Sequence, residues 1–509
     1  MNKNRVQNSI VNTVVSLICN VFLMLVGIIT QAIFIRLMNL EYLGVNGLFS
    51  NILSILGIME LGIGNAIVFS LFKPVSVDDR EQIKSLLLFY KKAYFLIAII
   101  ILVVGLLITP FIPVFVGKIN VDINIKTVYV LFLLQSVSTY IFSYRTSIFI
   151  ASQQNYVVKI NALIAKVFLS IAQLTVLYFT RNYYLYLIVA IINTLFFNFA
   201  IYKYAEYKFP YLKENHACKI SSDVEKSIFT KIKGLFFHKI GTFMVLSTDN
   251  IIISMFIDVM TVGLYYNYNT IIVSVGNLFN QIITATASSV GNLIATESKE
   301  KCFEVFNKMH FLSYWLSVFA SVSILCIIQP FICLWVGDKY LLNIFVVGIL
   351  SINFYQTSMR CVYDNFKDSA GIWYEDKFVP LIESTINIIV SVVLVKRIGL
   401  PGVFIGTFIS GMMLWGYSYP RFVYKKIFNQ SYSKYAVRTI TDFVLFIGIG
   451  FLTLMITKLF KSQNYLLQCL FNGIVCLIVP NAILYMIYHK NDNYKYYKDL
   501  FVKIMKRRK

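Results

Sequence analysis

Apolar runs close to ~20 residues recur along the whole of this 509-residue chain, the length an α-helix needs to cross a bilayer core. Inside hydrocarbon every backbone N–H and C=O must find a partner within the protein, and helices provide one segment by segment. The sequence therefore predicts an all-α polytopic membrane protein. Only 14% of its residues are charged, against ~25% in soluble domains, so no separate soluble domain is expected to carry chemistry. Fourteen spans can be drawn, at roughly 11–35, 46–71, 93–116, 127–150, 160–179, 183–202, 234–256, 262–290, 311–336, 341–362, 378–395, 402–420, 439–459 and 466–488. An even number puts both termini on one side of the membrane.

The loop charges give that side a name. With Arg360, near the end of its span, counted in the loop that follows, 34 basic residues fall on the side of the termini and 9 on the other, and 3 are left inside the spans. Cytoplasmic loops are the ones enriched in Lys and Arg, so both termini are expected in the cytoplasm. The same bias explains the net charge of +22 without nucleic acid as a partner. Lys3 and Arg5 precede a long apolar run with no small-residue cleavage site, which reads as a retained first span rather than a signal peptide. The eight cysteines form no C-x-x-C, and the four histidines no H-E-x-x-H. Neither a metal site nor a disulfide framework is indicated, and no cofactor is implied.

A shift of 219 residues lays one half loosely over the other. The stretch LMNLEYLGVNGLFSNIL, with Gly44, falls on IDVMTVGLYYNYNTII, with Gly263, and the fifth span falls on the eleventh. The shift covers six spans, so it predicts two six-helix lobes of one orientation, a parallel pseudo-repeat about an axis along the membrane normal. Transporters are often built this way, with the site between the repeats. The expected organisation is an N-lobe over 1–212, a cytoplasmic linker over 213–232 and a C-lobe over 233–430. An appended helix pair over 431–490 and a basic tail over 491–509 complete it. The tail, with Tyr494, Tyr496, Tyr497 and its lysines, reads as a segment bound to the membrane surface.

RLMNLEYLGVNGLFSNILSILGIMELGIGNAIVFSLFKP, from Arg36 to Pro74, resembles the bacterial polysaccharide (O-antigen and capsule) flippases of the multidrug/oligosaccharidyl-lipid/polysaccharide (MOP) exporter superfamily. PLIESTINIIVSVVLVKRIGLPGVFIG, from Pro380 to Gly406, is similar to that family's eleventh and twelfth helices, through Glu383, Asn387, Ser391, Gly399, Gly402 and Gly406. Leu246–Ile252 is similar to its seventh. The resemblance covers essentially the whole chain. It implies a V-shaped two-lobe fold, alternating access, and a non-enzymatic role in a bacterial cytoplasmic membrane. The implied cargo is a polyprenyl-diphosphate-linked oligosaccharide, moved from the cytoplasmic to the outer leaflet for surface polysaccharide. Membrane lipids and other polysaccharide-assembly proteins are the implied neighbours.

Arg145, Lys166 and Lys239 are the three cations left inside spans. A cation in hydrocarbon costs on the order of 2.5–3.5 kcal/mol on insertion scales, so keeping three points to a polar cavity. At ~1.5 Å per residue each lies roughly 7–9 Å inside the cytoplasmic boundary, as does Glu383. Arg145 and Lys166 belong to the first lobe and Lys239 to the second, an arrangement suited to a diphosphate. Snorkelling to headgroups is the competing account, and Lys239 paired with Glu383 is another. Arg36, at the outer end of the first span, is either a diphosphate contact on the far side or an interfacial anchor. Glu60 and Asp249 lie mid-span. There a carboxylate is either a proton or Na⁺ site, a partner for a cavity cation, or simply protonated by burial. Gly57, Gly62 and Gly64 loosen the span around Glu60.

Two other functions fit parts of the pattern. A cation-coupled multidrug exporter of the same superfamily would favour an acidic, aromatic cavity over a basic one. A membrane polysaccharide polymerase or glycosyltransferase would need an acid/base constellation at the membrane surface. No D-x-D motif and no large outer loop are present for it.

Overall fold

The computed structural model describes residues 2–60, 63–117, 119–213, 241, 244, 247–284, 286–372 and 375–506. They are helical nearly throughout and fall into two compact units, Met1–Gly263 and Leu264–Lys509. Among the described residues ten helices are long and apolar enough to cross a membrane.

The first unit contains α1 (Asn2–Leu37), α2 (Leu40–Leu56), α3 (Ile63–Ser76), α4 (Arg80–Ile108), α5 (Ile125–Ser138), α6 (Thr146–Ala151), α7 (Asn155–Thr180) and α8 (Tyr183–Lys208). Helix α1 packs on α7, α7 on α8, and α5 on both α4 and α8. A further helical stretch covers 247–256.

The second unit is built on α9 (Val259–Thr284), α10 (Ala287–Thr296), α11 (Lys299–Trp335), α12 (Ile344–Ser369), α13 (Val379–Ile398), α14 (Leu400–Met413), α15 (Tyr432–Thr457), α16 (Tyr465–Tyr488) and α17 (Asp492–Lys506). The chain of α14 continues as a π-helix, Leu414–Ile427. Helices α13 and α14 form its tightest pair. A Cβ on Gly402 would lie 2.4 Å from the Leu394 carbonyl carbon, and one on Gly406 2.1 Å from Ser391 Oγ, so only glycine allows this approach. The unit boundary falls at the start of α9, after the 213–232 segment expected as a linker.

The spans that miss the apolar criterion are informative. The second expected span is broken into α2 and α3, with a 3₁₀ turn at Gly57–Glu60. The seventh lies largely outside the described residues. The eighth, in α9, and the tenth, α12, are long enough but carry interior polar side chains: Asn267 in one, Ser351, Gln356, Asn365 and Lys367 in the other, all buried. Their polarity faces protein, as intramembrane polar groups must. Helix α12 also runs on to Ser369, past the expected end at 362. Arg360 and Lys367, counted by sequence as loop charges, therefore belong to a packed helix.

Two glycines anchor the repeat in three dimensions. Within the first unit a Cβ on Gly44 would meet the Val259 carbonyl oxygen at 2.0 Å, and a Cβ on Gly263 would meet that of Leu40 at 2.5 Å. Under the 219-residue shift Leu40 corresponds to Val259 and Gly44 to Gly263. The close approach is thus reciprocal under that shift.

Candidate functional site

In the first unit the polar side chains gather at two broken spans. The first break follows α2. Its 3₁₀ turn carries Glu60, and Tyr94 donates a short hydrogen bond to Glu60 Oε1. Tyr90 donates to Tyr94 in turn, at 2.5 Å between phenol oxygens. The Tyr140 ring packs edge-on against Tyr94, with centroids 5.4 Å apart. A Cβ on Gly64 would come within 3.0 Å of Tyr90 Oη and 3.3 Å of Tyr94 Oη, which explains a glycine beside the carboxylate. No ion pair to Glu60 occurs among the described residues. A carboxylate met by a chain of neutral phenols can exchange a proton or hold a small cation without first releasing a salt bridge.

The second break separates α5 from α6, where Phe142 adopts φ +64°. The carbonyls released there are those of Ser138, Thr139 and Ile141. The Asn198 amide on α8 reaches all three, at 3.3, 3.3 and 3.1 Å. Freed backbone groups in a membrane bundle need such partners. Arg145 projects from the 3₁₀ turn that follows. Its Nη1 lies 2.7 Å from Glu206 Oε1. Its Nη2 donates to the Leu212 carbonyl at 3.0 Å. The guanidinium sits 3.9 Å from the centre of the Tyr202 ring. Glu206 also accepts from Lys203. Arg145 is therefore buried with its charge already answered, by a partner 61 positions away that sequence spacing does not reveal.

The other expected cations differ. Lys166 is half-buried on α7, with no hydrogen bond or ion pair among the described residues. Arg36, in the last turn of α1, is exposed. Lys239 lies outside the described residues. Asp249 is half-buried in the 247–256 helix, beside buried Ser247, Thr248 and Asn250.

In the second unit charges come as pairs. Glu383, expected as a counter-ion for Lys239, accepts both terminal nitrogens of Arg360, at 2.8 and 3.3 Å. One to two turns along α12, Lys367 lies 2.6 Å from Asp376 and 3.5 Å from Asp364. The π-helix adds Ser418, which donates to Asp376, and Tyr419, which donates to Asp364, each at 3.1 Å. Arg360, Asp364 and Lys367 stand at i, i+4 and i+7. That one-face spacing was a signal available in the sequence and hidden by placing them in a loop. Deeper in the α13–α14 pair, Asn387 donates to Thr407 at 3.1 Å and Ser391 to the Val403 carbonyl at 3.0 Å. A separate cavity of about 180 Å³ lies among α11, α12, α14 and α15. Tyr355, Phe408, Trp415 and Phe443 line it, together with His310 and Asp442, which lie 3.9 Å apart.

No protein-family model matches this sequence, and no curated protein matches it. Solved structures do match its fold. The lipid II flippase MurJ, in an inward closed conformation, superposes with a TM-score of 0.66 over 93% of this chain and 99% of its own, at 14% identity. An inward-facing multidrug resistance MATE family transporter of the MOP superfamily gives a TM-score of 0.62 over 79% of this chain and 97% of its own, at 13% identity. A mutant of the Vibrio cholerae MATE transporter VcmN gives 0.58 over 81% and 95%, at 11% identity. The chain shares the all-α polytopic fold of these transporters.

Proposed function

We propose that this protein is a flippase that carries a polyprenyl-diphosphate-linked oligosaccharide from the cytoplasmic to the outer leaflet of a bacterial cytoplasmic membrane, for surface polysaccharide synthesis. The observation that carries this reading is length. The flippase MurJ matches 93% of the chain and the two MATE transporters 79–81%. The difference is close to the size of the α15–α16 pair, the part that a twelve-helix repeat leaves over. Cations held inside the spans support an anionic cargo, because hydrocarbon alone would exclude them. Both termini lie in the cytoplasm in this reading, by the loop-charge bias.

Lys166 is the proposed first contact for the diphosphate in the first unit, since no described carboxylate competes for it. Arg145 contributes by positive potential and by ordering the α5–α6 break, and Lys239 and Arg36 complete the proposed cation set. Glu60, with its phenol chain, is the proposed coupling group for H⁺ or Na⁺, and Asp249 is the second candidate. In the test, purified protein is reconstituted into liposomes with a fluorescent undecaprenyl-diphosphate glycan, and access of the label to an external quencher is followed. Protein-dependent exchange is expected, reduced by Lys166→Ala. A folded protein that leaves the label's sidedness unchanged overturns the proposal.

The aromatic cavity beside Asp442 favours one other reading, export of lipophilic cations. Arg438, whose Nε lies 4.0 Å from Asp442, offsets that carboxylate and speaks against it. Resistance of a drug-sensitive host to organic cations, lost in Asp442→Asn, would reverse the order of the two readings.

A further inference from the structure

The second unit holds two buried ion pairs of different character. Lys367 and Asp376 are sealed, with side chains 2% and 0% exposed. Asp376 also accepts from Ser418 through both oxygens, so each partner's hydrogen-bonding capacity is largely used. In the other pair Glu383 is equally buried, at 2%, but Arg360 is 22% exposed. A guanidinium carries five N–H donors in a rigid fork. Glu383 takes the end-on edge, one proton from each terminal nitrogen. The side-on edge, Nε–H with the outer proton of Nη2, has no acceptor among the described residues. That edge has the spacing for a second bidentate oxyanion, the geometry in which arginine recognises phosphoryl groups.

Competing charge must be weighed. Asp364 lies one turn along α12 and would repel an anion if free. Its carboxylate is engaged by Lys367 at 3.5 Å and by the Tyr419 hydroxyl at 3.1 Å. Glu383 is fully occupied by Arg360 itself. The remaining donors point away from Glu383, because the side-on edge diverges from the end-on edge around the guanidinium plane.

We propose that Arg360 is an oxyanion-binding residue of the second unit, held by Glu383 so that its side-on edge receives a phosphoryl group. Glu383 is the positioning residue; it fixes the guanidinium plane and takes no part in contact with the cargo. The inference rests on the flippase reading only for the source of the phosphoryl group, which is either the lipid-linked diphosphate or an anionic phospholipid.

The test uses the purified full-length protein in nanodiscs, with undecaprenyl diphosphate, undecaprenol and phosphatidylglycerol as separate probes. Binding is read by native mass spectrometry and thermal stability by a melting curve. Arg360→Lys keeps the charge and the pair with Glu383 but has no planar second edge. It is expected to melt like the wild type and to bind undecaprenyl diphosphate about ten- to a hundredfold more weakly, the size of a lost charged hydrogen-bond pair. The exchange of Arg360→Glu with Glu383→Arg restores an ion pair with the cation on α13, and is expected to fold without regaining binding. Wild-type affinity in Arg360→Lys, or in the exchanged pair, overturns the proposal, since either would mean the pair is structural. Arg360-dependent binding of phosphatidylglycerol without binding of undecaprenyl diphosphate supports the oxyanion site and overturns the flippase reading. Equal binding of undecaprenol and undecaprenyl diphosphate overturns the oxyanion site.

Discussion

Glu60 and Asp376 are both carboxylates inside a membrane bundle, yet they are held in opposite ways. Glu60 meets Tyr94 and, through it, Tyr90, both neutral. Asp376 meets the Lys367 ammonium at 2.6 Å and the Ser418 hydroxyl, and is wholly buried. The first can change its charge without stranding a partner. The second cannot, because losing either charge leaves the other buried and unanswered. A transporter that couples to an ion needs one group of the first kind and a frame built from the second. Glu60 and its phenols lie in the first unit, which also holds the buried Arg145–Glu206 pair, and the Lys367–Asp376 pair lies in the second.

The largest effect is expected from breaking the fixed pair. Asp376→Ala leaves Lys367 with only Asp364 at 3.5 Å, and removing one partner of a buried pair typically costs about 3–5 kcal/mol. Replacing both partners, Lys367→Met with Asp376→Leu, should recover most of that loss, because the desolvation penalty disappears with the charges. Melting curves of the three proteins in one detergent check the order. If Asp376→Ala melts with the wild type, the second unit's network is not the frame described above.

Glu60→Gln tests the other half of the contrast. The amide is nearly isosteric and still accepts from Tyr94, so the melting curve should stay close to the wild type. With Glu60 in its proposed coupling role, ion-driven transport should fall by at least about tenfold while exchange of cargo between leaflets down its own gradient persists. Measuring both modes in the same liposomes separates them. Equal loss of both modes would assign Glu60 to the frame and remove the distinction between the two carboxylates.

Much of this arrangement was legible in the chain. Ten of the spans follow from apolar length. The 219-residue shift set Gly44 over Gly263, and those two glycines prove to be reciprocal contacts. What stayed hidden has a common cause. Arg145 pairs with Glu206 and Glu383 with Arg360, each across helices, and no local spacing encodes such a partner. In the sequence the tyrosines around Glu60 were indistinguishable from the rest of the 34 in the whole chain. Arg360 and Lys367 were misplaced because an apolarity window ends a span where polar residues begin. In α12 the helix continues because those residues pay for their burial with partners on α13 and the segment before it.

The smallest effect distinguishes the two phenols. Tyr94 touches the carboxylate; Tyr90 touches only Tyr94. Tyr94→Phe removes one donor to Glu60, leaves the Tyr140 hydroxyl beside that carboxylate and deletes the acceptor for Tyr90. Tyr90→Phe removes one terminal donor and leaves the bond to Glu60 in place. Net hydrogen-bond contributions run about 0.5–1.5 kcal/mol, and the lost donor to the carboxylate adds to the first variant only. The expected order of coupled transport is therefore wild type, then Tyr90→Phe within a fewfold, then Tyr94→Phe well below it. A relay that passes protons along both phenols predicts something else, that Tyr90→Phe is as damaging as Tyr94→Phe. The ratio of the two rates thus decides whether Glu60 is simply oriented by one phenol or supplied through two.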